Sequence, residues 1–282
     1  MSDFIDLHVH SSCSDGTCSP EELVQLAVSL QLKAIALTDH DNVSGVARAR
    51  AEAERLGGSL TVISGIELSA EWLNKEVHIL GLGIDPDHPA LTAYLEEFLR
   101  ERDNRNRKMA EKITAAGCPI TVEELYEHFP GATLGRPHYA RLMMEKGFVT
   151  SVAAAFNGYL GDNGPCFVNR KRISAADAVK LILQCGGHPV LAHPMQYGFS
   201  KDRLESFVNL LSNEGLEGLE CFYSRYTASD SAKLIRMAKR HGLFITGGTD
   251  FHGANKPEIH LGSGINRNLE IPWSLLVDAK LV

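Results

Sequence analysis

Two chelating pairs stand at opposite ends of this chain of 282 residues: His8 with His10 near the start, and Asp250 with His252 near the end. Residues i and i+2 on a strand project from the same face, so each pair can present two metal ligands from one strand end. Further ligand types lie between them as Asp15, His40 within Asp39-His40-Asp41, Glu67, His78 and His193. Side chains this scattered share a site only in a fold that brings both chain ends together, which predicts a closed structure.

Apolar, strand-like runs stop at these polar clusters: Phe4–Leu7 before His8, Ala34–Leu37 before Thr38-Asp39-His40, and Leu60–Ile63 before Gly65-Ile66-Glu67. Val77–Leu80 surrounds His78, Pro189–Ala192 precedes His193, and Leu216–Phe222 and Leu243–Thr246 bring the total to about seven strands. Helices are expected over Pro20–Leu30, with Ser19 as N-cap and Pro20 at the first helical position, and over Val43–Leu56, Ala175–Gln184 and Ser229–Arg240, with glycine near their ends. This alternation favours a parallel barrel or a doubly wound sheet. The barrel is preferred: its catalytic groups come from the C-terminal ends of several strands, whereas a doubly wound sheet usually carries a glycine loop where this chain has His-Val-His.

Residues 99–169 interrupt the pattern. Arg100–Lys108 opens a long polar helix, and shorter helices are expected over Thr121–His128, Arg136–Lys146 and Ser151–Gly158. The predicted organisation is a discontinuous barrel, 1–98 and 170–282, carrying an inserted helical subdomain at 99–169.

With 44% hydrophobic and 22% charged residues, the composition fits a folded enzyme with one sizeable core and a smaller lobe. A net charge of −7 argues against indiscriminate binding to long duplex nucleic acid. No segment approaches a membrane span and the start lacks a leader-like apolar core, so a cytoplasmic location is expected. The six cysteines show no CxxC spacing and are expected to be reduced, with Cys13 a loop residue beside the site rather than a nucleophile.

Asp6-Leu7-His8-Val9-His10, Asp15-Gly16, Leu37-Thr38-Asp39-His40-Asp41, Gly65-Ile66-Glu67, His78, Ala192-His193-Pro194 and Asp250-Phe251-His252 together resemble the motif set of the PHP (polymerase and histidinol phosphatase) family. The resemblance implies an α/β fold, a distorted (β/α)7 barrel, holding three divalent metal ions. His8, His10, Glu67 and Asp250 would hold the first, Glu67 would bridge to His78 and His193 at the second, and Asp15, His40 and His252 would hold the third. Manganese is the implied metal, with zinc or iron as alternatives for such imidazole and carboxylate ligands. Three divalent ions, offset by Asp15, Glu67, Asp250 and a bridging hydroxide, leave about two positive charges, a match for a phosphate dianion. Metal-activated hydroxide would then hydrolyse a phosphate ester in line.

The insertion and Gly135-Arg136-Pro137-His138 resemble those of bacterial 3′,5′-nucleoside bisphosphate phosphatases, some of which are also 5′-to-3′ exonucleases on short RNA. The expected partner is therefore a small nucleotide or short oligonucleotide, and the expected reaction removes the 3′-phosphate of a 3′,5′-bisphosphate such as pAp. Arg102, Arg105, Arg136, His138 and Lys171 are the candidates for gripping a second phosphate. Exonuclease action on short RNA and a histidinol-phosphatase-like activity are the neighbouring alternatives. An amidohydrolase, which commonly needs a bridging lysine where this chain has His78, and a binding module without catalysis are less favoured.

Asp39 and Asp41 flank His40 and are candidates to orient it, with an N-cap as the alternative for Asp41. Tyr223 and Arg225 are read as packing or salt-bridge residues, and His88, His128, His188, His241 and His260 as surface or structural.

Overall fold

The computed structural model describes residues 3–130, 132, 134–161, 163–169 and 172–279. Its strands are β1 (Ile5–Val9), β2 (Ala34–Leu37), β3 (Thr61–Trp72), β4 (Lys75–Leu82), β5 (Ile173–Ser174), β6 (His188–Leu191), β7 (Gly218–Tyr223) and β8 (Phe244–Gly248). The α-helices are α1 (Pro20–Ser29), α2 (Ser44–Arg55), α3 (Pro89–Ala115), α4 (Val122–His128), α5 (Arg136–Glu145), α6 (Val152–Ala155), α7 (Ala175–Gln184), α8 (Lys201–Asn213), α9 (Ala228–His241) and α10 (Ser274–Asp278). Two compact units result: Met1–Thr92 with Arg172–Val282, and Ala93–Lys171.

In the first unit the sheet runs β1-β2-β3-β4-β6-β7-β8, with β5 attached to β3. The two ends of this path meet beyond β8: the Asp250 N–H donates to His8 O at 2.8 Å, the His10 N–H to Phe251 O at 3.0 Å, and Val9 bridges Phe251 in parallel. Gly248 permits this approach, since any side chain there would collide with His8. The result is the nearly closed, barrel-like α/β sheet that the scattered ligands demanded.

One strand departs from the expected parallel barrel. β4 runs antiparallel to both β3 and β6, while β1, β2 and β3 pair in parallel, as do β6, β7 and β8. Only Leu73 and Asn74 separate β3 from β4, and a parallel return needs a crossover of a dozen or more residues. Both adopt positive φ, 50° and 61°, the conformation of a tight two-residue hairpin. His78, in the first half of β4, therefore faces the end of the barrel to which the parallel strands point.

The strands are apolar on both faces, as a helix-covered sheet requires. Ile5, Leu7, Ala34, Ala36, Ile63, Leu80, Leu82 and Val190 form one cluster. Ile35, Leu37 and Val62 alternate to the other face and pack on Leu23, Val24 and Ala27 of α1 and on Ala49 and Ala53 of α2. α1 starts where its sequence says it should: Ser19 Oγ accepts from the Glu22 N–H while the Glu22 carboxylate accepts from the Ser19 N–H, a reciprocal cap contributing about 1 kcal/mol. α8 is absent from the sequence expectations, although Leu204, Phe207, Val208 and Leu211 bury one face at helical spacing.

The second unit takes α3 from Ala93 onward, with α4, α5, α6 and a π-helical turn at Phe156–Leu160. α3 begins at Pro89, eleven residues before the polar Arg100 that marked it in the sequence. Met109, Ile113, Leu125, Tyr139, Leu142 and Met143 are among its core residues. Among the described residues no helix is long and apolar enough to cross a membrane, and the six cysteines are free.

Candidate metal centre

The nine ligand candidates converge. The first layer is set by β1 and the loop after it, where a side chain on Gly16 would collide with His10 O, so the chain folds tightly back and delivers Asp15 beside His10. Asp39 fastens this loop, accepting from the Ser11 N–H at 2.7 Å, Ser11 Oγ at 2.6 Å and Ser14 Oγ at 2.6 Å. Asp6 does the same for the closure, accepting from Thr249 N–H at 2.9 Å, Thr249 Oγ1 at 2.5 Å and Gly262 N–H at 2.9 Å. Burial pushes both carboxyls up from the ordinary range, against these hydrogen bonds. The expectation that Asp39 orients His40 is thus replaced by a role in holding the loop. Asp41 accepts from Ser69 N–H and Oγ at 3.0 and 2.6 Å and does not cap α2, whose N-cap Val43 makes no side-chain cap bond.

Glu67, on β3, is the hub. Its Oε2 lies 3.3 Å from His8 Nε2, 3.2 Å from His10 Nε2 and 3.2 Å from His40 Nδ1. Its Oε1 lies 2.8 Å from His78 Nδ1 and 2.9 Å from His193 Nε2. Asp15 faces His252 Nε2 at 3.1 Å, His10 Nδ1 at 3.7 Å and His40 Nε2 at 3.9 Å. Asp250 turns Oδ1 toward His10 and His252 at 3.3 Å each, and Oδ2 toward the Tyr223 hydroxyl at 2.8 Å and Lys256 Nζ at 2.7 Å.

Three overlapping groups have ligand atoms within 4.8 Å of one another: His10, Asp15, His40 and His252; His8, His10 and Glu67; and His40, Glu67 and His78. His8 Nε2, both ring nitrogens of His10 and His40 Nδ1 are buried without a hydrogen-bond partner. Buried polar atoms left unpaired are costly, and several of them aimed at shared carboxylates fit a place for cations. Three residues of this rim have left-handed backbone, Asp41 (φ 48°), His193 (φ 28°) and Asp250 (φ 59°), a strain that collects at functional sites.

The electrostatics agree. Burial pushes the Glu67 carboxyl up, but the imidazoles of His40, His78 and His8 outweigh it and hold it well below the ordinary range. Asp15 is held down in the same way by His252 and His40, and Asp250 by His252 and Lys256. Burial brings His40 down to about 3, against the pull of Glu67 and Asp15.

The second unit gathers its own candidates around Leu134 and Gly135. Arg102 Nε donates to Leu134 O, and Gly135 N–H donates to His138 Nδ1 at 3.1 Å. The Arg136 guanidinium lies over Phe156 and Phe167, and the buried Arg105 places Nη1 2.8 Å from Met109 Sδ. Lys171 lies outside the described residues.

Several contacts escaped the sequence. Glu220 of β7 lies 2.9 Å from His8 Nδ1 and accepts from the His193 N–H at 2.6 Å; the hint was a lone carboxylate inside an apolar run. Tyr223 reaches Asp250 rather than simply packing, and Lys256 carried no motif. Arg225 pairs with Glu258 at the surface. His128, His188 and His241 pair with Glu145, Glu217 and Glu205.

A model of the PHP domain matches residues 6–152 of the chain. The chain is 36% identical over 249 residues to a 3′,5′-nucleoside bisphosphate phosphatase of Chromobacterium violaceum, covering 88% of this chain and 87% of that protein. It is 34% identical over 247 residues to the 5′-3′ exoribonuclease Rnm of Escherichia coli, covering 88% and 84%. A solved structure from Bifidobacterium adolescentis, described as a metal-dependent phosphoesterase, superposes with a TM-score of 0.84 at 26% identity over 98% of this chain and 94% of that one. With its barrel-like sheet, its carboxylate and imidazole clusters and these relatives, the chain belongs to the PHP domain family and is a metal-dependent phosphoesterase, a hydrolase of phosphate esters.

Proposed function

We propose that the chain removes the 3′-phosphate of nucleoside 3′,5′-bisphosphates such as pAp, giving the nucleoside 5′-monophosphate and inorganic phosphate, at a centre of three divalent ions. The observation that supports the metal centre in this reading is Glu67, whose two oxygens face separate sets of imidazoles: His8, His10 and His40 on Oε2, His78 and His193 on Oε1. A carboxylate flanked in this way suits a bridge between two cations, and the group around Asp15 suits a third.

In this assignment His8, His10, Glu67 and Asp250 hold the first ion, Glu67, His78 and His193 the second, and Asp15, His40 and His252 the third. Manganese fits the donor set, with zinc and iron as alternatives. Bound there, the ions would supply an acidified water as nucleophile and neutralise charge on the phosphoryl oxygens. The chain's own part is positioning: Asp39 fixes the loop that delivers Asp15, and Tyr223 with Lys256 occupies Asp250 Oδ2 so that Oδ1 is left for the centre.

The inserted unit would discriminate between substrates through Arg136 and His138 on α5 and Arg102 and Arg105 on α3, since guanidinium groups suit phosphate geometry. Similarity to the bisphosphate phosphatase of Chromobacterium violaceum supports this substrate class. Similarity to exoribonuclease Rnm supports a second reading, in which a short 5′-phosphorylated RNA is cut at its first phosphodiester. A terminal phosphate followed by a phosphodiester presents the same two groups as a bisphosphate.

A product assay separates the two. Release of inorganic phosphate and AMP from pAp with a higher kcat/KM than nucleotide release from a 5′-phosphorylated trinucleotide supports the first reading, and the reverse order supports the second. A simple phosphate monoester turned over as efficiently as pAp would sink both.

A further inference from the structure

Strand β7 contributes none of the nine ligand candidates, yet two of its side chains reach them. Glu220 is fully buried, with Oε1 2.9 Å from His8 Nδ1 and Oε2 2.6 Å from the backbone nitrogen of His193. Tyr223 donates to Asp250 Oδ2 at 2.8 Å. Residues three apart on a regular strand point to opposite faces. The pairing with β8 explains how both reach one side: Glu220 pairs with Thr246 and Phe222 with Gly247, so β7 carries one extra residue between them and the alternation is reset before Tyr223.

We propose that Glu220 is a positioning residue that decides which nitrogen of His8 faces the metal ions. An ionised carboxylate only accepts hydrogen bonds, so it can take the His193 N–H on one oxygen and a proton on His8 Nδ1 with the other. With the proton fixed on Nδ1, His8 presents Nε2, the atom that lies 3.3 Å from Glu67 Oε2 and 3.7 Å from Asp250 Oδ1 and has no hydrogen-bond partner. Metal-bound imidazoles commonly donate their second nitrogen to a carboxylate in this manner. The second bond secures the backbone of His193 in the left-handed conformation from which its ring meets Glu67 Oε1. One buried side chain thus prepares a ligand on β1 and another on the loop after β6. The inference rests on the metal assignment given above.

Glu220→Gln keeps the shape but offers only one acceptor. If the amide oxygen stays on the His193 N–H, the amide N–H group faces His8 Nδ1 and drives the ring proton to Nε2, closing the ligand atom. If the amide flips, two N–H groups oppose each other at His193.

The test uses zinc as the probe, with stoichiometry and affinity read by competition against a chromophoric chelator, and nitrogen NMR of the histidine rings. Zinc-loaded wild-type protein is expected to show His8 protonated at Nδ1 and bound through Nε2. Glu220→Gln is expected to bind zinc about 10- to 100-fold more weakly, and Tyr223→Phe, which leaves Lys256 on Asp250, by less than about tenfold. A folded Glu220→Gln protein with wild-type zinc affinity overturns the proposal. So does a wild-type His8 that binds zinc through Nδ1, a measurement that decides the matter even if the variant does not fold. A wild-type chain that takes up no zinc, manganese or iron would instead overturn the metal assignment itself.

Discussion

Lys256 Nζ lies 2.7 Å from Asp250 Oδ2, the oxygen that also accepts from Tyr223, so that Oδ1 alone faces the histidines. Lys256 is about one-third exposed, and solvent screening limits such a pair to about 1 kcal/mol. Lys256→Met is therefore predicted to lower kcat/KM for pAp by less than about tenfold with metal content unchanged. Loss of bound metal in this variant, measured by elemental analysis, would show a larger role.

Glu67→Gln replaces the carboxylate that five imidazoles share. A neutral amide cannot bridge two cations as a carboxylate does, so kcat is predicted to fall by at least ~100-fold, together with a loss of bound metal. A variant that retained the full metal complement would contradict the bridging assignment.

Metal uptake should be strongly pH-dependent. Burial favours the neutral form of His10 and His78, but the neighbouring carboxylates outweigh it and push their pKa values to about 9 and about 10 in the protein without metal. Ligation requires neutral rings, so below these values each ring must shed a proton as metal binds. The sign follows: apparent affinity rises with pH, by up to about two log units per pH unit from these two rings, whose own contribution levels off above about pH 10. His8, which Glu220 and Glu67 also push up against burial, adds to the rise. Zinc calorimetry in two buffers of different ionisation enthalpy should detect about two protons released at pH 7 from these rings. An uptake that releases none would refute the assignment of both as ligands.

The clusters are unequally covered. His8 and His10 are fully buried, whereas the side chains of Asp15 and His40 are 27% and 20% exposed. The surroundings of a metal site control solvent access, so the ion assigned to Asp15, His40 and His252 is predicted to leave first. Dilute chelator should remove metal in at least two phases, followed by elemental analysis against time. A single phase for all bound metal would argue against distinct sites.

Arg136→Ala is predicted to raise KM for pAp by about tenfold or more while changing KM for a simple phosphate ester far less. Arg136→Lys serves as the control, since it keeps the charge but loses the planar fork. Equal effects on both substrates would assign Arg136 to the packing of Phe156 and Phe167, over which it lies.

The convergence of His8 with His10 was legible because side-chain chemistry and strand period coincide at the end of β1. Asp250 and His252 lie beyond the end of β8 and Asp250 has left-handed backbone, so their chemistry and not a strand period marked them. The direction of β4 was not legible, because alternation is the same whichever way a strand runs and only the two-residue gap at Leu73-Asn74 betrays the hairpin. Glu220 and His8 are separated by 212 positions, and nothing local in either segment announces their contact. The long helix α3 was noticed only where its charges crowd, although Leu91, Tyr94, Leu95 and Phe98 recur at helical spacing ahead of them.

The left-handed backbone at His193 has a consequence for anyone who would improve this protein. Holding a residue other than glycine in such a region costs about 1–3 kcal/mol, and His193→Gly would release most of that strain in the metal-free chain while deleting a side chain proposed as a ligand. A screen that rewards melting temperature alone would therefore drift toward inactive proteins at this rim. Thermostability has to be sought away from the mouth of the barrel, where heat resistance and turnover do not ask for different residues.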